Sequence, residues 1–177
     1  MKENNRLDIK EVTREFSVLG PADVICEARG FTKWCTMPYP RHPNGCPNFG
    51  KRSDCPPNVP YFLDIYNPSV YIASLDFNFE QYLDTKRQIH PDWSEDALRN
   101  SRHWQNHLRA ELRRHADMTL NKPEFLDYVA VYNPEGMCVN VHRTCKNVGL
   151  QLEWPPQQHM YRIALLSKPV IPLSSPS

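Results

Sequence analysis

The sequence predicts an α/β or α+β domain: one small sheet, two crossover helices and a long proline-rich cysteine loop. Three observations lead there. Short β-branched and aromatic runs alternate with helical patterns along the chain. Proline numbers 17 in 177 residues, near twice the usual share of about 5 %, which implies long irregular segments. Pro38, Pro40, Pro43, Pro47, Pro56, Pro57 and Pro60 crowd residues 30–60, a density that neither a helix nor a central strand tolerates. One domain is expected over residues 1–168, since the length suits a single core, with a loose Pro/Ser tail over 169–177.

Along the chain, residues 7–19 place Leu7, Ile9, Val12, Phe16 and Leu19 at spacings that suit a short amphipathic helix, ended by Gly20-Pro21. Residues 22–27 follow as a brief strand that takes Cys26 into the core. Residues 30–60 form the loop, and a loop of that length inside a compact domain needs something besides regular hydrogen bonding to pin it. Residues 70–79 (VYIASLDFNF) have the composition of a buried strand. Asp92 and Glu95 make a capping box for a helix reaching Asp117, with Leu98, Leu108 and Leu112 on one stripe. Residues 125–132 (FLDYVAVY) form a second strand, and Asn133-Pro134-Glu135-Gly136 turns into a helix over 137–148 with Gly149 just past its end. Residues 160–166 complete the set as a third strand, and the alternating order implies right-handed crossovers.

Composition narrows the classes of function. With 21 basic and 20 acidic residues the net charge is +1, so no global field gathers nucleic acid or anionic membrane. No apolar stretch approaches the ~20 residues needed to cross a bilayer, and the polar opening residues are unlike a signal peptide. A cytoplasmic protein without a membrane partner is expected. In that reducing setting six cysteines are thiols, whose usual employment is metal binding or redox chemistry.

Cys35, Cys46 and Cys55 are the candidate ligands, spaced C-x10-C-x8-C in the proline-rich loop. That spacing is wider than the paired knuckles of zinc ribbons and does not by itself name a metal. Proline follows Cys46 and Cys55, fixing the backbone beside each sulfur and removing an amide donor that would need a partner. Lys33, Arg41, Lys51 and Arg52 outnumber Asp54 around these thiols, which suits the negative charge of thiolates on iron. An iron–sulfur cluster is the first expectation. A structural zinc on the three cysteines plus His42 is the second, and unmetallated buried thiols the third. Cys138 and Cys145 lie seven residues apart in the expected helix, nearly on one face, so one of them can reach the loop; the same face, with Val141 and Val148, also suits plain core packing.

The run Cys46-Pro-Asn-Phe-Gly-Lys51 followed by Cys55-Pro-Pro57 resembles the N-terminal signature of a family of predicted metal-binding proteins of unknown function, which reads CP-x-[YF]-GK and then CPP. Residues 135–150, EGMCVNVHRTCKNVGL, are similar to that family's CGIDV-like segment, with Cys138 on its cysteine and Asn147, Gly149 and Leu150 at its helix end. The resemblance spans residues 30–166 and implies metal or iron–sulfur binding with no known reaction. It makes Cys138 the fourth member beside Cys35, Cys46 and Cys55, a number that closes a 4Fe-4S cluster. If Cys138 does not ligate, one iron stays open as a Lewis acid toward a small-molecule substrate. Many relatives carry further cysteines before the CGIDV-like segment; residues 125–135 hold none, so one centre is expected.

Two other features carry weaker chemistry. His103 and His107 are spaced i, i+4, but the glutamate of a zincin helix is missing between them, and the balance of charges around them suits a solvated face. Tyr39 with Arg41 and Phe49 with Lys51 and Arg52 have the makings of a stacking platform for single-stranded nucleic acid, a partner that near-neutral charge disfavours. A redox partner or a small-molecule substrate is the favoured expectation.

Overall fold

Two long apolar runs form the middle of a sheet, and everything else packs on their two faces. In the computed structural model, which describes residues 12, 14–38 and 42–170, the strands are β1 (Arg14–Asp23), β2 (Tyr66–Asn78), β3 (Val129–Val131) and β4 (His159–Pro169). Their order is β1-β2-β4-β3, with every neighbouring pair antiparallel. The helices are α1 (Lys33–Thr36), α2 (Phe62–Ile65), α3 (Phe79–Ile89), α4 (Glu95–Leu98), α5 (Gln105–Leu120) and α6 (Val141–Lys146). No helix among the described residues is long and apolar enough to cross a membrane.

The central strands are apolar nearly throughout because both their faces are covered, and successive side chains serve opposite layers. Ala73, Leu75 and Phe77 of β2 join Met160, Ala164 and Leu166 of β4 beneath Leu108, Leu112 and Ala116 of α5. On the other face Val70, Ile72 and Leu165 meet Phe62 of α2 and Val141 and Cys145 of α6, together with Met137 and Val139. The cysteine loop borders this second layer through Val59.

β2 and β3 both run antiparallel to β4, so they are parallel to each other with β4 between them, and α3, α4 and α5 make the crossover that joins them. The return from β3 to β4 is antiparallel. The chain is therefore an α+β domain with one crossover where the sequence suggested two.

Several elements differ from their sequence-based expectation, each for a local reason. The helix expected over 7–19 is overturned where the chain is described: Arg14 to Leu19 lie in β1, while 7–11 and 13 fall outside the described residues. Phe16 and Leu19 fit a helical stripe, but Phe16 and Val18 also alternate with Glu15 and Ser17, and pairing opposite Leu75 and Ala73 decided for the strand. Gly20-Pro21 then marks a register shift within β1 rather than a helix end; a side chain at Gly20 would meet the Val70 carbonyl at 3.1 Å. The long helix expected from Asp92 is broken. Ser94, not Asp92, caps α4 by accepting from the Ala97 amide at 3.3 Å, and α5 begins only after Trp104 has turned inward against Phe77 and Phe79.

α3 went unrecognised because its first residue was read as the end of a strand. Asn78 caps it, accepting from the Gln81 amide at 2.9 Å. The helix expected over 137–148 shrinks to α6, because Pro134–Met137 is a 3-10 turn and Cys138 takes a left-handed φ of 68°. Gly149, at φ +79°, follows α6 as expected.

At one end of the sheet His159 Nδ1 lies 2.9 and 3.0 Å from the two Asp76 oxygens, tying β4 to β2. This contact holds the imidazole above its ordinary value, against a smaller opposing effect of burial. A raised folded value makes the pair's contribution fullest below the unfolded value of about 6.5 and removes it as pH climbs through the folded one. In denaturant unfolding, the destabilisation caused by His159→Gln should accordingly be larger at pH about 5.5 than at about 8.5. Leu165, fully buried, carries the second layer, and Leu165→Ala should lower unfolding stability by about 2–5 kcal/mol.

Candidate metal centre

The described residues of 30–60 lack regular structure apart from α1, and turn hydrogen bonds between successive segments hold them. The Cys46 amide donates to the Cys35 carbonyl at 2.7 Å. That closeness depends on Gly45, whose φ is +81° and whose added Cβ would fall 2.4 Å from the Cys35 oxygen. The Gly50 amide donates to the Pro56 carbonyl at 2.9 Å, joining the Cys46 turn to the Cys55 turn. The Cys55 carbonyl in turn accepts from Asn58 and Val59 at 3.0 and 3.3 Å.

The distant segment around Cys138 docks onto the same loop. Gly136 lies against the Asp54 carbonyl and the Pro56 ring, each 3.5 Å from where its Cβ would be, and Asn133 Nδ2 donates to Asp54 at 3.0 Å. Cys138 is buried, its sulfur 3.8 Å from the Phe31 carbonyl. Its left-handed backbone costs about 1–2 kcal/mol, a strain that the loop contacts on either side offset. The Glu27 amide donates to the Cys138 carbonyl at 2.8 Å, which places Cys26 opposite Val139.

Electrostatics mark the four nominated sulfurs as neighbours. Burial raises the Cys35 thiol first, and the fields of Cys46, Cys55, Glu135 and Cys138 follow in that order. The Cys55 thiol is raised by burial and then by Asp54 and Cys46. Arg52 is bound to Asp54 through two hydrogen bonds of 2.8 and 3.0 Å, so this loop base is partly neutralised by the one acid beside it. Among the described residues, no group of three His, Cys, Asp or Glu side chains stands close enough to hold a metal ion. The four thiols therefore share a neighbourhood without forming a finished coordination sphere.

The alternates fare differently. Cys145 sits in α6 at the centre of the second core layer, fully buried, and its thiol is pushed up to about 12 by burial. It is a packing residue, and because Cys138 stands outside the helix, the two cysteines do not share a helical face. His42 is half-buried between Cys35 and Cys46, its carbonyl accepting from the Gly45 amide at 3.1 Å. His103 packs on Trp93 and His107 lies 3.6 Å from Glu111, so the i, i+4 histidines do not converge. Of the aromatic platform, Tyr39 and Arg41 lie outside the described residues.

Two neighbours escaped the sequence reading. Cys26, taken as core, is raised by burial while a hydrogen bond to Tyr61 opposes, and Cys138 adds a further upward push. Glu135 is exposed in area, yet burial is the main cause holding its carboxyl above the usual range. Glu135 acts on Cys35 and Cys145 alike. Its place in the family-like segment beside Cys138 was the one available signal; for Cys26 there was none, since its approach to Cys138 depends on a bridge between distant segments.

No family model, no curated protein and no solved structure matches this chain. Function must be argued from its own residues.

Gly45→Ala forces the left-handed turn and the Cys35 carbonyl apart. In timed alkylation read by mass spectrometry, it should speed labelling of Cys35 and Cys46 severalfold, by about the cost of 1–2 kcal/mol, while Cys145 remains the last thiol to react.

Proposed function

We propose that the chain binds a 4Fe-4S cluster through Cys35, Cys46, Cys55 and Cys138 and uses it in electron transfer with a redox partner or in catalysis on a small molecule. The observation that carries this reading is the docking of the Cys138 segment on the thiol loop, with Gly136 against Asp54 and Pro56 and the Cys138 sulfur 3.8 Å from the Phe31 carbonyl, which brings a fourth thiol to the loop that holds the other three. The donor set fits the group: four soft sulfurs suit iron or zinc and disfavour magnesium or calcium. All six cysteines are free thiols, as a reducing cytoplasm requires. The motif resemblance to predicted metal-binding proteins supports the same assignment.

A bound cluster supplies one-electron transfer, or a Lewis-acidic iron where one ligand is absent. The chain's own residues prepare for it. Raised thiols at Cys35 and Cys55 hold their protons until a cation displaces them, so binding releases protons and tightens as pH rises. Asp54 stands 3.9 Å from the Cys55 sulfur and accepts its weak S–H contact, while Arg52 keeps that carboxyl ionised. Phe31 and Trp34, next to Cys35 in the chain, pack edge to face at 4.5 Å. Closing the coordination sphere requires the turns of the loop to move together, which their few long-range hydrogen bonds permit.

Protein purified without oxygen should be brown, with iron and acid-labile sulfide near stoichiometric for one cluster, and Cys46→Ser should bleach it. Colourless protein carrying one zinc would replace this reading with a structural zinc site on the same thiols. Metal-free protein that takes up neither iron nor zinc would end both.

A further inference from the structure

β3 pairs with β4 only from Val129 opposite Ser167 to Val131 opposite Leu165. Three residues further along, where the register would set Pro134 beside Arg162, the chain has already turned into the Pro134–Met137 segment. Arg162 is thus left without a strand neighbour on that side of β4. Alternation along the strand sends its side chain, like Met160 and Ala164, toward α5.

α5 lies over the sheet with two distinct flanks. On the β1 side Glu111 meets Arg14 at 3.2 Å, and His115 stacks on Phe16 at 4.7 Å. On the opposite side Arg113 stacks over the Tyr132 ring at 4.4 Å, and Arg109, one turn earlier, acts on Arg162. Here two cations stand together in a largely apolar layer. Arg162 Nε is buried and has no hydrogen-bond partner among the described residues. Glu135 is the acid within electrostatic reach, yet no ion pair joins it to Arg162.

A guanidinium whose Nε is buried without a partner, close to a second cation, is costly unless an anion accepts its donors, and a planar oxyanion fits that fork in a bidentate way. We propose that Arg162 and Arg109 bind the carboxylate or phosphate group of a small molecule, beside the Pro134–Met137 turn on the α5 side of the sheet. Burial lowers Arg162 to about 10, with Arg109 adding to the effect, as befits a cation short of counter-charge. The inference goes beyond the cluster reading, since the binding needs only the two arginines.

The test uses the full chain, with thermal melting and calorimetry against acetate and, separately, phosphate, each compared with chloride at equal ionic strength. The expected result is saturable stabilisation by one of the two, which says whether a carboxylate or a phosphate is preferred, and weakening of about tenfold or more in both Arg162→Met and Arg109→Met. Arg109, being only half-buried, keeps the test open should Arg162→Met fail to fold. The proposal is overturned if neither anion outdoes chloride. It is also overturned if Arg162→Met melts higher than the parent and leaves the anion response unchanged, the behaviour of a merely buried charge. Iron and sulfide measured on the same samples separate the two readings: an anion response retained in colourless Cys46→Ser preserves this site whatever becomes of the cluster.

Discussion

The pairing of β2 with β4 is the constraint on which both regions of interest depend. From Val70 opposite Ser167 to Asn78 opposite His159 the two strands exchange ladder hydrogen bonds, and their inner positions are covered on both faces. A break in this ladder would leave backbone groups buried without partners, so it is the least negotiable part of the molecule. α5 can lie on one face, and α2, α6 and the cysteine loop on the other, only because that pair offers each a continuous apolar surface.

The thiol loop follows different rules. It has almost no regular structure, and its shape rests on turn hydrogen bonds, on proline, and on a glycine that lets two backbones come together. What gives it a fixed place is the docking of residues 133–138 through Gly136, Asn133 and Cys138. That docking is also what brings a fourth sulfur to three that are near in sequence. The segment that holds the loop is thus also the one that brings Cys138 to it.

The strands at 70–79 and 160–166 were legible in local composition, whereas the one expected over 125–132 shrinks to Val129–Val131 because Pro123–Phe125 makes a 3-10 turn before it. The irregular nature of residues 30–60 was legible too, since proline excludes helix and sheet wherever it is dense. β1 was misread because Phe16 suits both the helical spacing to Leu19 and the alternation to Val18, and only a partner strand chooses between them. α3 was missed and the long helix drawn unbroken because Asn78, Ser94 and Trp104 take their roles from local geometry that periodicity does not report. Cys35, Cys46 and Cys55 announced themselves as a group by proximity in sequence and by residue type. Cys138 was named by motif likeness, but its seat against Phe31, the bridge that sets Cys26 opposite Val139 and the unpartnered Arg162 Nε were decided by tertiary structure alone, because sequence separation carries no measure of distance in space.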